Sequence, residues 1–153
     1  MSQQGERRVV TLDELVAQLD IIRAEAARLR DLLNQLVAEK DLISRAKEGI
    51  DAIVKSSPDS PVLFPLSTGY VAFVEAKPQS RDKVIVHLGA DVYAKVDVSD
   101  GLRLLSEQES EVSRAIDEVA RRLSEVERLQ GQYEAVIQQA VAAAQAGQQA
   151  KGK

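Results

Sequence analysis

The chain has 153 residues, 29% of them charged and only 3% aromatic, and its formal net charge is −4. Acidic and basic residues are interspersed, so no basic face argues for a nucleic-acid partner. The absence of cysteine excludes disulfides, thiol chemistry and cysteine-based metal sites. No apolar run approaches the roughly 18 residues of a membrane span. The first residues show no apolar core of signal-peptide length, so we expect a cytoplasmic protein of one domain, residues 1–153.

A long helix is predicted over residues 12–55. Thr11 and Glu14 have the capping-box spacing, in which each side chain bonds the other's backbone N–H, so the helix is expected to start at Leu12. From there, apolar residues recur every three or four positions in a heptad pattern with Leu12 at a and Leu15 at d. The sequence SSPDSP at 56–61 cannot continue the helix.

Residues 61–98 contain the only β-type patterns of the chain. They predict two hairpins whose three-residue loops, 67–69 and 89–91, each use a glycine at positive φ. The second predicted strand is apolar on both faces, which requires cover from another chain, so we expect oligomerisation through the strands. The four predicted strands are Val62–Leu66, Tyr70–Lys77, Val84–Leu88 and Val92–Val98.

A second long helix is predicted over residues 100–147, capped by Ser99 or Asp100. Its heptad seam is apolar except at Glu109 and Gln130. Two helices of similar length and period, joined by a compact connection, favour an antiparallel coiled coil. The predicted fold is therefore α+β: a long helical hairpin with two β-hairpins at one end and both termini at the opposite tip.

The register of the coiled coil is predicted from side-chain size. Placing Ala26 opposite Tyr133 matches a small residue with a large one, and the same register puts Leu36 opposite Leu123 and Ile43 opposite Ile116. Lys47 then lies one layer from Glu109, where the charges can pair, whereas Lys40 falls opposite Val119. These polar seam residues either lay their stems on apolar neighbours with the charge in water or specify the register.

The segments PVLFPLSTGYVAFVEAK and KVIVHLGADVYAKVDVSDGLRLLSEQ, set between the two helices, resemble the α class of prefoldin subunits. Two hairpins point to the α class, since the β class has one. The resemblance implies a hexamer of two α-class and four β-class subunits whose strands form an intersubunit β-barrel. It further implies an ATP-independent holdase that captures unfolded proteins and passes them to a group II chaperonin in the cytosol.

Two sets of candidate residues follow. Apolar residues near the termini, where Val9 also lies, are expected to bind clients, although they also serve simply to complete the last turns of the coil. The client-binding set is Val10, Leu12, Leu15, Val16, Leu19, Tyr133, Val136, Ile137 and Val141. The oligomer-interface set is Val62, Leu63, Phe64, Leu66, Val71, Phe73, Val84, Val86, Leu88, Val92 and Val96.

Catalytic patterns are not found in the sequence. His87 is the sole histidine, so one chain cannot build a triad or a multi-histidine zinc site. Neither GxGxxG nor GxxxxGK[ST] occurs, so we expect no nucleotide site, no cofactor and no enzyme activity. Two other functions stay open: a related chain that self-assembles into a homo-oligomer or filament, and a coiled-coil scaffold that tethers specific partners.

Overall fold

The computed structural model describes residues 10–151, and Val9 lies outside them. The chain forms two long helices and two antiparallel β-hairpins, which confirms the predicted α+β class. The elements are α1 (Leu12–Lys55), β1 (Val62–Pro65), β2 (Phe73–Ala76), β3 (Lys83–Gly89), β4 (Val92–Asp97) and α2 (Val98–Lys151). The described residues form two compact units: a first unit, 10–35 with 116–151, and a second unit, Leu36–Ala115. Neither helix of the described part contains a stretch that is long and apolar enough to cross a membrane.

The capping box at the start of α1 forms as predicted. The Thr11 N–H donates to Glu14 Oε2 at 2.9 Å, and the Glu14 N–H donates to Thr11 Oγ1 at 3.2 Å. The helix therefore begins at Leu12 with two of its unpaired N–H groups satisfied.

The other end of α1, at Lys55, is held by a residue that the sequence did not single out. The guanidinium of Arg81 donates to the carbonyl oxygens of Ile53 at 2.6 Å and Ser56 at 3.0 Å, and also to the Ser56 hydroxyl. One arginine thus satisfies carbonyls that the helix end leaves without an intrahelical donor.

In the first unit, α1 and α2 pack antiparallel around a small apolar core. Three residues are buried there, with Ala26 at 0% exposure, and three half-buried apolar residues pack against them. The core consists of Ala26, Leu29 and Leu123, with Leu33, Val119 and Val126 around it. The predicted pairing of Ala26 with Tyr133 is wrong, because Ala26 packs one heptad nearer the middle of α2. Likewise Leu123, which that register gave to Leu36, joins Ala26 and Leu29.

Charges beside the seam explain the shift. Arg23 lies 2.9 Å from Glu134, Arg30 lies 2.6 Å from Glu127, and Arg122 lies 3.0 Å from Glu25. The size-based register would instead have set Arg23 opposite Val141 and Arg122 opposite Leu32. A heptad slip leaves the apolar seam almost unchanged but separates these pairs, so the flanking charges decide the register.

The two hairpins are separate two-stranded sheets, and their loops differ from the prediction. Pro65 pairs with Phe73, so the first loop spans residues 66–72 rather than three residues. Two backbone bonds close it, Leu66 N–H to Ala72 O at 2.9 Å and Tyr70 N–H to Ser67 O at 3.2 Å. The positive φ of 53° falls on Tyr70 and not on Gly69.

The second hairpin has a loop of two residues. Ala90 and Asp91 have φ values of 47° and 58°, the positive pair that a type I′ turn requires. Gly89 pairs with Val92 and takes the predicted positive φ, 103°, beside a bulge that follows His87. The strand twist favours this tighter turn over the predicted three-residue loop.

Helix α2 begins directly after β4, at Val98, so the predicted cap at Ser99 or Asp100 is wrong. The Val98 N–H donates to the Asp82 carbonyl at 3.0 Å, and this strand-type bond replaces a side-chain cap. The helix also continues past residue 147 to Lys151.

The core of the second unit forms where α2 crosses the inner face of the β3–β4 hairpin. Gly101 is buried there, and a Cβ atom at this position would overlap Val84 Cγ2 and lie 3.3 Å from Val86 Cγ2. Leu105 is buried one turn later. In the same unit, Lys47 Nζ lies 2.7 Å from Glu109 Oε2, which confirms the predicted pairing of two polar seam residues.

Candidate functional site

The tip is defined here as the end of the first unit that carries the start of α1 and the last turns of α2. The predicted client-binding residues differ in how much surface they offer. Leu19 is buried in the seam, while Val10 is 55% and Val136 48% exposed. Exposed members of the set are Val10, Leu12, Val16, Val136 and Val141, and the half-buried members are Leu15, Tyr133 and Ile137.

Apolar residues replace the ion pairs along one flank of the seam at the tip. Arg30–Glu127 and Arg23–Glu134 follow each other at a spacing of one heptad. The same spacing places Val16 and Val141 at the next flanking position, and both side chains are exposed. Ion pairs therefore flank the seam along the middle of the coil, and valines take their place at its end.

The last of those ion pairs also affects a titration. Hydrogen bonds from the Gln130 amide and then from the Arg23 guanidinium stabilise the ionised form of Glu134 and hold the pKa of its carboxyl below the usual value. The charged form of Glu134 is thus fixed next to the apolar end of the coil.

Two shallow grooves meet on the tip at Leu15 and Tyr133. One, of about 300 Å³, is lined by Val10, Glu14, Leu15, Gln18 and Tyr133. The other, of about 130 Å³, is lined by Leu15, Gln132, Tyr133 and Val136. We call their combined surface the tip groove. Its polar members, Glu14, Gln18 and Gln132, were not among the predicted site residues, because a search for apolar residues passes over the rim.

Helix α2 extends past the start of α1. The register places Leu12 near Ala140, whereas α2 continues to Lys151. Residues 141–150 are exposed throughout. This last segment is rich in alanine and glutamine, so it stays helical by propensity while offering few large apolar groups.

The β1–β2 hairpin exposes most of the predicted interface residues. Val71 is 87% and Leu63 64% exposed, and Val62 is half-buried. Phe64, Leu66 and Phe73 are also exposed, as are Leu88 and Val92 of the second hairpin. A two-stranded sheet that leaves so much apolar surface in water is only marginally stable alone. The predicted role of these residues between subunits stays a prediction.

Part of the predicted interface set in the β3–β4 hairpin packs within the chain itself. Val86 is 3% exposed, and Val84 and Val96 are half-buried with it against Gly101. The outer face instead exposes Ile85 and Tyr93. The sequence signal that could have shown this is Gly101, because a glycine in the first turns of a helix allows strand valines to approach closely.

His87 also lies on that outer face. Its ring lies 4.8 Å from the ring of Tyr93, centroid to centroid, and its backbone carbonyl accepts a hydrogen bond from Gln108 at 2.9 Å. Between Val10 and Lys151 the structure places no group of three or more His, Asp or Glu side chains where they could hold a metal ion.

Comparisons with known proteins agree on one family. A family model described as prefoldin subunit matches residues 22–146. The chain is 33% identical over 138 residues to prefoldin subunit alpha of Aeropyrum pernix, covering 90% of this chain and 89% of that one. It is 32% identical over 106 residues to prefoldin subunit alpha of Saccharolobus solfataricus, covering 69% and 71%.

A further relative, prefoldin subunit alpha of Metallosphaera sedula, is 27% identical over 118 residues, with 77% of this chain and 81% of that one covered. Among solved structures, filamentous prefoldin from Methanocaldococcus jannaschii aligns with a TM-score of 0.43 at 20% identity, over 86% of this chain and 96% of that one. On the family model and these relatives, the chain belongs to the prefoldin family and is similar to its α-class subunits.

Proposed function

We propose that this chain is the α-type subunit of an ATP-independent cytoplasmic chaperone that holds unfolded proteins at its coiled-coil tips. In this proposal it assembles with β-class subunits, two α with four β, through strands that form an intersubunit β-barrel. The complex then delivers its client to a group II chaperonin. Beyond membership of the family, exposed apolar residues at the tip and on the hairpins support this role.

The observation that carries the proposal is the change along the flank of the seam. Ion pairs at Arg30–Glu127 and Arg23–Glu134 give way to the exposed valines Val16 and Val141. A coil that needed only to remain soluble would continue the charged series to its end. Exposed apolar side chains along shallow grooves at a helical end suit clients that have no fixed structure.

Assembly is supported by the hairpins. Their exposed apolar residues and open edges are an aggregation hazard in a free chain and a natural interface in a complex. Leu63, Val71 and Phe73 are half or more exposed, so a partner strand or face can cover them without disturbing the chain's own core.

The test removes apolar surface from the tip. A triple variant, Val16→Gln, Val136→Gln and Val141→Gln, changes only exposed positions, so the coil and the assembly are expected to survive. Client capture is expected to fall sharply, measured as light scattering when a chemically unfolded protein is diluted into the complex. Deletion of residues 1–19 and 137–153 removes the same surface and is also expected to reduce client capture. The shortened coil is expected to form, because burial of the remaining seam contributes roughly 1.5–3 kcal/mol per large apolar side chain.

The matched control is Leu32→Gln with Val37→Gln, which removes exposed apolar groups of α1 away from the tip. It is expected to leave capture unchanged. Equal suppression of aggregation by the tip variant and the intact complex would show that the tip residues only complete the coil. Native mass spectrometry of the chain with and without a β-class subunit separates the hetero-hexamer from a homo-oligomer or filament. Tight binding of one folded partner with no suppression of aggregation would indicate a scaffold.

A further inference from the structure

The tip groove combines an apolar floor with a rim of one charge sign. Leu15 and Tyr133 lie in both of its parts, and Val10 and Val136 extend it to either side. The carboxylate-bearing Glu14 lines the larger part together with Gln18. The floor can take apolar side chains of any sequence, but the rim distinguishes between clients.

The charges around the groove are unbalanced. Asp13, Glu14 and Asp20 are the charged residues between Val10 and Ile22, and Glu134 is the charged residue between Leu129 and Ala150. No lysine or arginine occurs in either range. Arg23 lies 2.9 Å from Glu134 but 3.9 Å from Asp20, so its charge is directed mainly at Glu134.

Glu14 is the carboxylate closest to the floor, and its position is fixed. Its Oε2 accepts the Thr11 N–H at 2.9 Å, and this bond ties the side chain to the start of α1. Among the described residues, no basic side chain forms an ion pair with Asp13 or Glu14. A carboxylate held at the edge of an apolar groove attracts cations to that edge and repels anions.

We propose that the tip groove selects client segments in which apolar residues alternate with lysine or arginine, and disfavours acidic segments of equal hydropathy. This inference rests on the proposed function, since it assumes that the tip binds clients. It adds a charge preference to capture that would otherwise depend on apolar content alone. The long stems of lysine and arginine also lie on apolar surface while their charges reach a carboxylate, which matches this groove.

The experiment uses the full chain in complex with its partner subunits, the partner being the same in every sample. Three unfolded peptides share one apolar pattern and carry lysine, glutamine or glutamate at the intervening positions. The chain has no cysteine, so an introduced Ala17→Cys accepts a photo-crosslinker beside the groove. Crosslinked peptide on this chain, separated from the partner by mass, reports binding at this tip and not at the partner's.

The lysine peptide is expected to crosslink at the lowest concentration and the glutamate peptide at the highest. Glu14→Gln is expected to weaken binding of the lysine peptide by roughly one and a half- to fivefold, the range of one exposed ion pair, and to leave the glutamine peptide unchanged. Glutamine also completes a capping box, so this variant removes the charge and keeps the helix start. Raising the salt concentration is expected to reduce the difference in affinity between the lysine and the glutamate peptide.

The matched control is Asp31→Asn, which removes one carboxylate from α1 away from the groove and is expected to change none of the three affinities. Arg7 and Arg8 precede the described residues, so a double variant, Arg7→Gln with Arg8→Gln, is tested too, and the preference is expected to persist in it. Equal binding of the three peptides, or a preference that Glu14→Gln leaves intact, would overturn the charge selection. Failure of even the glutamine peptide to crosslink would instead contradict the proposed function.

Discussion

Lys47 and Glu109 form an ion pair across the heptad seam of the second unit, with 2.7 Å between Nζ and Oε2. Both side chains are about three-quarters shielded from solvent. Both residues occupy positions in a seam that is mostly apolar. The pair therefore joins the two helices where neither charge is fully hydrated. Charged seam residues of this kind favour one register over its neighbours.

This pair gives the stability of the chain a defined dependence on pH. The hydrogen bond from Lys47 holds the pKa of Glu109 in the folded chain below its ordinary value of 4.5. The contribution is therefore complete above the ordinary carboxyl pKa and is lost as the pH falls through the lowered folded value. Thermal unfolding followed by circular dichroism is expected to show less acid sensitivity below pH 4.5 in Glu109→Gln than in the wild type.

Replacing one partner or both distinguishes the pair from its surroundings. Lys47→Met alone is expected to lower the melting temperature, because it leaves Glu109 partly shielded without its partner. Lys47→Met with Glu109→Leu is expected to restore it to the wild-type value or above, since apolar replacements often equal a shielded ion pair. A single variant as stable as the double one would show that the pair contributes nothing.

Gly101 is expected to tolerate no larger residue. In Gly101→Ala the new methyl group overlaps Val84 Cγ2, and the strand or the helix must shift. Overpacking of this kind costs about 1–3 kcal/mol, measurable as a lower midpoint of urea unfolding. Gly131→Ala, in the same helix, is the matched control, because nothing beyond the neighbouring backbone of the helix lies within 4 Å of a Cβ atom there. That change is expected to raise stability by about 0.4–1 kcal/mol.

The register of the first unit can be tested with introduced cysteines in this cysteine-free chain. Ala26→Cys with Val126→Cys places two thiols in one layer and is expected to form a disulfide under mild oxidation. Ala26→Cys with Tyr133→Cys separates them along the coil by about 10 Å, one heptad of rise, and is expected not to. Disulfide formation is measured by non-reducing electrophoresis after proteolysis. A disulfide in the Ala26→Cys, Tyr133→Cys variant alone would favour the size-based register instead.

Charged replacements on the first hairpin test assembly. Val71→Glu with Phe73→Lys alters side chains that are exposed in the chain, so the helical circular dichroism signal is expected to persist. The complex with β-class subunits is expected to be lost from native mass spectra, because apolar cover between subunits is removed. Leu42→Lys, an exposed apolar position on α1, serves as the comparison and is expected to leave the mass unchanged.

Local signals in the sequence predicted the fold well. The capping box at Thr11 and the SSPDSP segment fixed both ends of α1, because each acts within a few residues of the chain. The second turn was predicted less well, since the choice between a two- and a three-residue loop depends on strand twist. Tyr70 at positive φ had no local signal, because bonds across residues 66–72 impose it.

The seam register was the main error, and its cause is general. A heptad repeat shifted by seven residues looks the same to an argument that considers only a and d positions. The decisive information lay at Arg23, Arg30 and Glu25, which such an argument treats as solvated surface. The burial of Val86 against Gly101 was not predicted either, since it depends on an element that is distant in the sequence.

Strand β4 ends at Asp97 and α2 begins at Val98, so the orientation of the strand determines the rotation of α2 about its own axis. Because no linker separates the two elements, the direction in which Val96 points also determines the directions in which Leu102 and Leu105 point. One residue inserted at this junction would rotate the first turns of α2 by about 100° and direct the seam residues into water. The strand therefore determines which residues in the first turns of α2 face the hairpin.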